Sequence, residues 1–239
     1  MNYSEELPVL IRLIIAHLLT DFVLQPGSWV AERKGKKFRS PKLYLHALVT
    51  GVTAYLFSGK WEVFSLPLLI IITHAIIDGW KSYQKSNTIY FLIDQLLHLL
   101  VIVFAWITII GAWDETWLGL VTLINNPKFL IILSGYILIA RPLGILIGTA
   151  TEKWRLDADI NKEGLAKAGL WIGLLERFLI LTFILIDQYT AVGLLIAAKS
   201  ILRFSDKENT QKKTEYVLIG TLMSFSVTFV IGLFIRHLI

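Results

Sequence analysis

Two short pairs, His74 with Asp78 and Asp94 with His98, carry the most specific chemistry in this sequence. Each pair is spaced i, i+4, so on a helix its members share one face, a turn apart. Imidazole nitrogens and carboxylate oxygens are the groups a divalent cation takes from a protein that offers no thiolate. Cysteine is absent, which excludes disulfides and Cys metal sites and leaves His, Asp and Glu as the strong ligands. Both pairs lie in IITHAIIDGWKSYQKSNTIYFLIDQLLHL, residues 71–99, two apolar runs joined by a short basic turn. His17 and Asp21 repeat the spacing near the N-terminus, and His46 stands alone.

The elements that must position these groups see lipid. The chain is 55% hydrophobic and 17% charged, with a mean hydropathy of +0.65, more apolar than a water-soluble fold of this length requires. The expected fold is all-α: a polytopic transmembrane helix bundle of about eight spans. It forms a single integral membrane domain, residues 1–239, with a four-span metal-site half at 1–111 and a C-terminal half with a cationic pocket at 112–239. The spans are read at 7–24, 43–58, 64–81, 89–111, 128–148, 168–187, 189–204 and 216–235; the seventh is short enough to be re-entrant. The first run lacks a basic start and a small-residue cleavage site, which predicts a retained helix.

Residues 25–42 carry Arg33, Lys34, Lys36, Lys37, Arg39 and Lys42 against one acid, Glu32. The positive-inside rule makes this loop cytoplasmic and both termini external. The net charge of +5 serves topology better than nucleic-acid binding, and no nucleic-acid partner is expected. The expected location is a bacterial inner membrane, with membrane lipids as neighbours.

That topology brings seven groups to one depth. His17 and Asp21, His46, His74 and Asp78, and Asp94 and His98 fall near the inner ends of four consecutive spans. An ionisable group in hydrocarbon costs about 2.5–3.5 kcal/mol unless it finds a partner or water, so a cluster implies mutual compensation. A divalent metal supplies it, zinc first, with manganese or iron as alternatives. Four His and three Asp exceed the ligands of one zinc, which leaves either two metals or one metal with supporting partners and a base. Taken singly, a His or Asp on a membrane helix is more often a hydrogen-bonded packing residue than a ligand.

HLLTDFVLQ, His46, THAIIDGWK and DQLLH together resemble an uncharacterised family of bacterial integral membrane proteins, a domain of unknown function. The resemblance extends to GLWIGLLERFLIL, AAKSILRF and EYVLIGTL in the C-terminal half. It implies a membrane-embedded fold and no particular activity. A looser similarity, to membrane-bound metal-dependent hydrolases, implies a metal site without assigning its residues.

The C-terminal half adds Arg141, Glu176, Arg177, Lys199 and Arg203 on the same side of the membrane. They read as an anion pocket for substrate, or as interfacial cations with a Glu176–Lys199 salt bridge between paired helices. Two mechanisms then compete. A metal-activated water, with Asp21 or Asp78 as base, would hydrolyse an ester, phosphoester or amide in a lipid or small anionic substrate from the cytoplasmic side. Alternatively, the same ligands form the transport site of a divalent-cation or proton-coupled carrier. The ligands lie off-centre, the halves do not repeat, and the proline break at Arg141-Pro142 has no counterpart in the first half, all of which favours the hydrolase. A non-catalytic membrane partner ranks third, and a homo-oligomer is open.

Overall fold

The computed structural model describes the backbone of residues 3–157, 163–204 and 211–239, and the side chains of residues 6–156, 169–200 and 215–239. Among the described residues every regular element is helical. This is the solution a lipid-facing chain reaches when backbone groups must bond within their own segment. Contacts divide the chain into two compact units, Met1–Gly119 and Leu120–Ile239.

The first unit holds α1 (Tyr3–Leu18), α2 (Gly27–Lys36), α3 (Pro41–Ser58), α4 (Ser65–Lys81) and α5 (Thr88–Ile110), and most of α6 (Trp113–Ile124). The breaks between them are chemical. Pro41 opens α3 at a position where a missing N–H costs nothing. Gly59 and Gly111 close α3 and α5 in the left-handed region, with φ of 70° and 64°. The Asn87 side chain accepts the Tyr90 N–H and caps α5.

Helix α1 packs on α3 and α5, and α4 packs on the same two, so four helices close a ring. Its apolar core is Val9, Leu13, Ala16, Ala54, Leu66, Ile70, Ile102 and Ala105. One helical turn beyond this layer the side chains turn polar: Leu13 leads to His17, Ile70 to His74, Ile102 back to His98, and Ala54 back through Thr50 to His46. Because i and i+4 share a face, the face that builds the core also delivers the polar cluster.

The α3–α4 contact is close because Gly51 has no side chain: a Cβ there would lie 2.8 Å from the Pro67 carbonyl oxygen. Gly51→Val is therefore expected to force α3 from α4 and lower stability by about 1–3 kcal/mol. An unchanged thermal midpoint in detergent would show that the contact is not tight.

Residues 25–42, expected to be loop, are largely helical. Helix α1 ends in a π-helical turn, Leu19–Val23, and the chain then bends by 82° into the stretch Gly27–Arg39. Pro26 stops one helix and, in extended conformation, serves as the N-cap residue of the next. The π-turn is marked by the Leu24 N–H bonding the Leu19 carbonyl at 2.8 Å. Thr20 donates its hydroxyl to the Ala16 and His17 carbonyls, groups that the widened turn leaves short of backbone donors.

The second unit holds α7 (Pro127–Ala140), α8 (Pro142–Ala150), α9 (Glu152–Asp157), α10 (Glu163–Leu185), α11 (Tyr189–Phe204) and α12 (Gln211–Leu238). Leu181, Ile139, Leu143 and Ile235 join α7, α8, α10 and α12, while Ile180, Ile184 and Val192 join α10 to α11. Asp187, in the α10–α11 turn, is paired with Arg236 at 2.8 Å, and that guanidinium holds its carboxyl below the ordinary carboxylate range.

Among the described residues, three helices are long and apolar enough to cross a membrane: Thr88–Ile110, Pro127–Ala150 and Glu215–Leu238, or four if the bent pair beginning at Glu6 is one span. That is the property expected of an integral membrane protein, in fewer helices than the eight expected from the sequence. The reason is visible in α3 and α4, which have 18 and 17 residues and carry the cluster's His and Asp among their apolar residues. Helix α11, with 16 residues, is shorter still.

Candidate metal centre

The structure brings all seven N-terminal candidates together, from α1 and its π-turn, α3, α4 and α5. His17, His46, His74, Asp78, Asp94 and His98 are buried, and Asp21 nearly so. Three overlapping groups have ligand atoms within 4.8 Å of one another: His17, His74 and His98; Asp21, His46 and His74; and Asp78, Asp94 and His98.

The distances have a pattern. His46 Nε2 and His74 Nε2 lie 3.0 Å apart, and each lies 3.4 Å from Asp21 Oδ1. Asp78 Oδ2 lies 3.7 and 3.6 Å from the same two nitrogens. Four ligand atoms at about 2.0–2.2 Å from a tetrahedral ion are separated by about 3.3–3.6 Å. The four separations from the carboxylate oxygens, 3.4 to 3.7 Å, lie at or close to that range and beyond good hydrogen-bond length, while the two imidazoles are at hydrogen-bond distance from each other.

Three atoms sharpen the point. Asp21 Oδ1, Asp94 Oδ1 and His98 Nε2 are buried without a hydrogen-bond partner. Leaving such groups unpaired costs about 1–3 kcal/mol each, and more when charged. A cation among them removes the penalty, and the donor set of imidazole and carboxylate suits zinc, manganese or iron.

Two cations already stand on the acids. Arg33, from α2, is ion-paired with Asp78 Oδ2, and Lys81 Nζ is 3.3 Å from Asp94 Oδ2. Gln95 supports both sides, its carbonyl oxygen 3.3 Å from His17 Nε2 and its amide donating to Asp94 Oδ2 at 3.3 Å. Such partners fix the orientation of ligating groups. Sequence reasoning missed Arg33 because its setting in a basic stretch reads as a topology signal; the clue was Pro26-Gly27, which permits the chain to fold back. Helix α2 then covers this end of the ring, with Phe38 against Gly79 and Lys34 bonded to Ser86.

Three of the C-terminal candidates, Glu176, Arg177 and Lys199, are engaged within their own unit. Lys199 Nζ is 2.6 Å from Glu176 Oε2, the inter-helix salt bridge weighed above. Arg177 is buried and donates to the Ile139 and Ala140 carbonyls, groups freed where Pro142 interrupts the helix. Arg141 is exposed at that break. The Arg203 side chain lies outside the described residues.

Residues 9–123 match the model of a protein family of unknown function, DUF3307. The matched segment contains every member of the His/Asp cluster, with Arg33, Lys81 and Gln95. That stretch is similar to DUF3307. The match ends before α7 begins, so the resemblance expected in GLWIGLLERFLIL, AAKSILRF and EYVLIGTL lies outside it. No curated protein and no solved structure matches the chain significantly.

Proposed function

We propose that the segment similar to DUF3307 is a metal-dependent hydrolase of membrane-associated substrates, with its site facing the cytoplasm of a bacterial inner membrane. The observation that carries this reading is the set of unpartnered buried atoms, Asp21 Oδ1, Asp94 Oδ1 and His98 Nε2, among imidazoles at ligand-to-ligand spacing. The orientation follows from Arg33, Lys34, Lys36, Lys37, Arg39 and Lys42, which cluster at the site's end of the ring.

A bound divalent ion would lower the pKa of water and polarise the substrate's carbonyl or phosphoryl oxygen. The chain's own groups do the rest. Asp21, through the carboxylate oxygen that is not set among the imidazoles, is the group to accept a proton. Arg33 and Lys81 are the positive side chains paired with the cluster's acids, and Arg33 is suited to the fork geometry of a phosphate or carboxylate. Thr73 and Val101 line both the small cavity beside His74 and His98 and an apolar groove of about 430 Å³ between α4 and α5. An ester with a hydrocarbon tail fits that arrangement.

The test is metal analysis of purified protein beside a His74→Ala/His98→Ala variant, followed by hydrolysis assays on ester, phosphoester and amide lipids. The parent is expected to retain zinc or manganese, the variant to lose it, and chelation to stop turnover reversibly. Equal metal in both proteins would remove the site.

One observation favours the carrier reading. The 82° bend after the π-turn is a helix break in the first half, where the sequence had suggested none, and carriers often place ions at such breaks. Zinc or manganese flux into reconstituted vesicles, abolished by Asp78→Ala without any hydrolysis in detergent, would replace the hydrolase with a carrier.

A further inference from the structure

We propose that the centre holds two ions bridged by the carboxylate of Asp78, one in a closed four-ligand site and one in an open three-ligand site. This rests on the metal reading above and deepens it. The closed site comprises Asp21 Oδ1, His46 Nε2, His74 Nε2 and Asp78 Oδ2: the two nitrogens lie 3.0 Å apart, 3.4 Å from Asp21 Oδ1 and 3.6 to 3.7 Å from Asp78 Oδ2. The open site comprises His98 Nε2, Asp78 Oδ1 and Asp94 Oδ1. His98 Nε2 lies 3.9 Å from Asp78 Oδ1 and 3.7 Å from Asp94 Oδ1.

Each oxygen of Asp78 thus faces a different set, the arrangement of a bridging carboxylate. A single ion cannot satisfy the cluster. Asp21 Oδ1 is unpartnered on one side of Asp78, and Asp94 Oδ1 and His98 Nε2 are unpartnered on the other. Arg33 uses one lone pair of Oδ2 and leaves the second toward the imidazoles.

The two sites differ in kind. Four protein ligands fill a tetrahedral ion and make it structural, whereas three leave a position for water or substrate. The open ion binds and polarises a phosphoryl oxygen, while the filled one holds the bridging Asp78 in place. Charge points to the same class. Three carboxylates against Arg33 and Lys81 sum to −1, and two divalent ions raise this to +3. A phosphoester brings compensating negative charge into the buried site, which a neutral ester or amide does not. Hydrolysis there adds the oxygen of water to phosphorus and releases the alcohol, which takes a proton.

The experiment loads the full chain in detergent with Mn²⁺ alone, removes free ion, and measures both stoichiometry and the electron paramagnetic resonance spectrum. Two ions per chain with an exchange-coupled spectrum are expected. Asp94→Ala should drop the count from two to one while His46→Ala removes the other ion, and Asp78→Asn should abolish the coupling. One uncoupled ion in the parent overturns the two-ion centre but leaves the metal reading standing; none overturns both. Inorganic phosphate is expected to bind the Mn²⁺-loaded parent and not Asp94→Ala, and equal binding to both would overturn the phosphoester assignment.

Discussion

Arg33→Met, stripped of metal, is expected to lose about 3–5 kcal/mol of stability, the cost of leaving a buried carboxylate without its partner. The pair is well shielded, with the Arg33 and Asp78 side chains 10% and 3% exposed, so solvent screening does little to soften the loss. Zinc should restore most of it, because an ion between Asp78 and the imidazoles supplies the positive charge that the substitution removed. The measurement is thermal or denaturant unfolding in detergent, with and without zinc. An equal deficit in both conditions would show that no ion approaches Asp78. No deficit at all would show that Arg33 is dispensable to the fold.

Zinc at about a hundred times its dissociation constant is expected to stabilise the parent by about 2.7 kcal/mol, as any ligand of the folded state alone must. In a His46→Ala/His74→Ala variant the gain should vanish, since half of the four-ligand set is gone. The gain should also shrink on moving from about pH 7.5 to about pH 5, because imidazole must be neutral to bind metal. A zinc-dependent shift of equal size in the double variant would place the ion elsewhere. A gain that grows on acidification would contradict imidazole ligation.

The sequence carried most of the site because its logic is local. The i, i+4 spacings of His17–Asp21, His74–Asp78 and Asp94–His98 need only a helix to become shared faces, and alternating helix directions bring them to one end of the ring. The helix boundaries were legible for a similar reason: Pro41, Pro127, Gly59 and Gly111 act through their own backbone. Arg33 was not legible. Its partner is 45 positions away, and only the bend after Pro26 decides whether its guanidinium points to water or to Asp78. Membrane crossings were overcounted because α3 and α4 are apolar in composition but short, and they spend part of their length on the polar cluster, His46, His74 and Asp78.

The π-turn at Leu19–Val23 makes room for one residue more than a regular helix would use. Above it, Leu13 and Ala16 keep their places in the packed layer; within it, Asp21 is aimed at His46 and His74. The widened turn thus sets the direction of an acid separately from the layer packed above it.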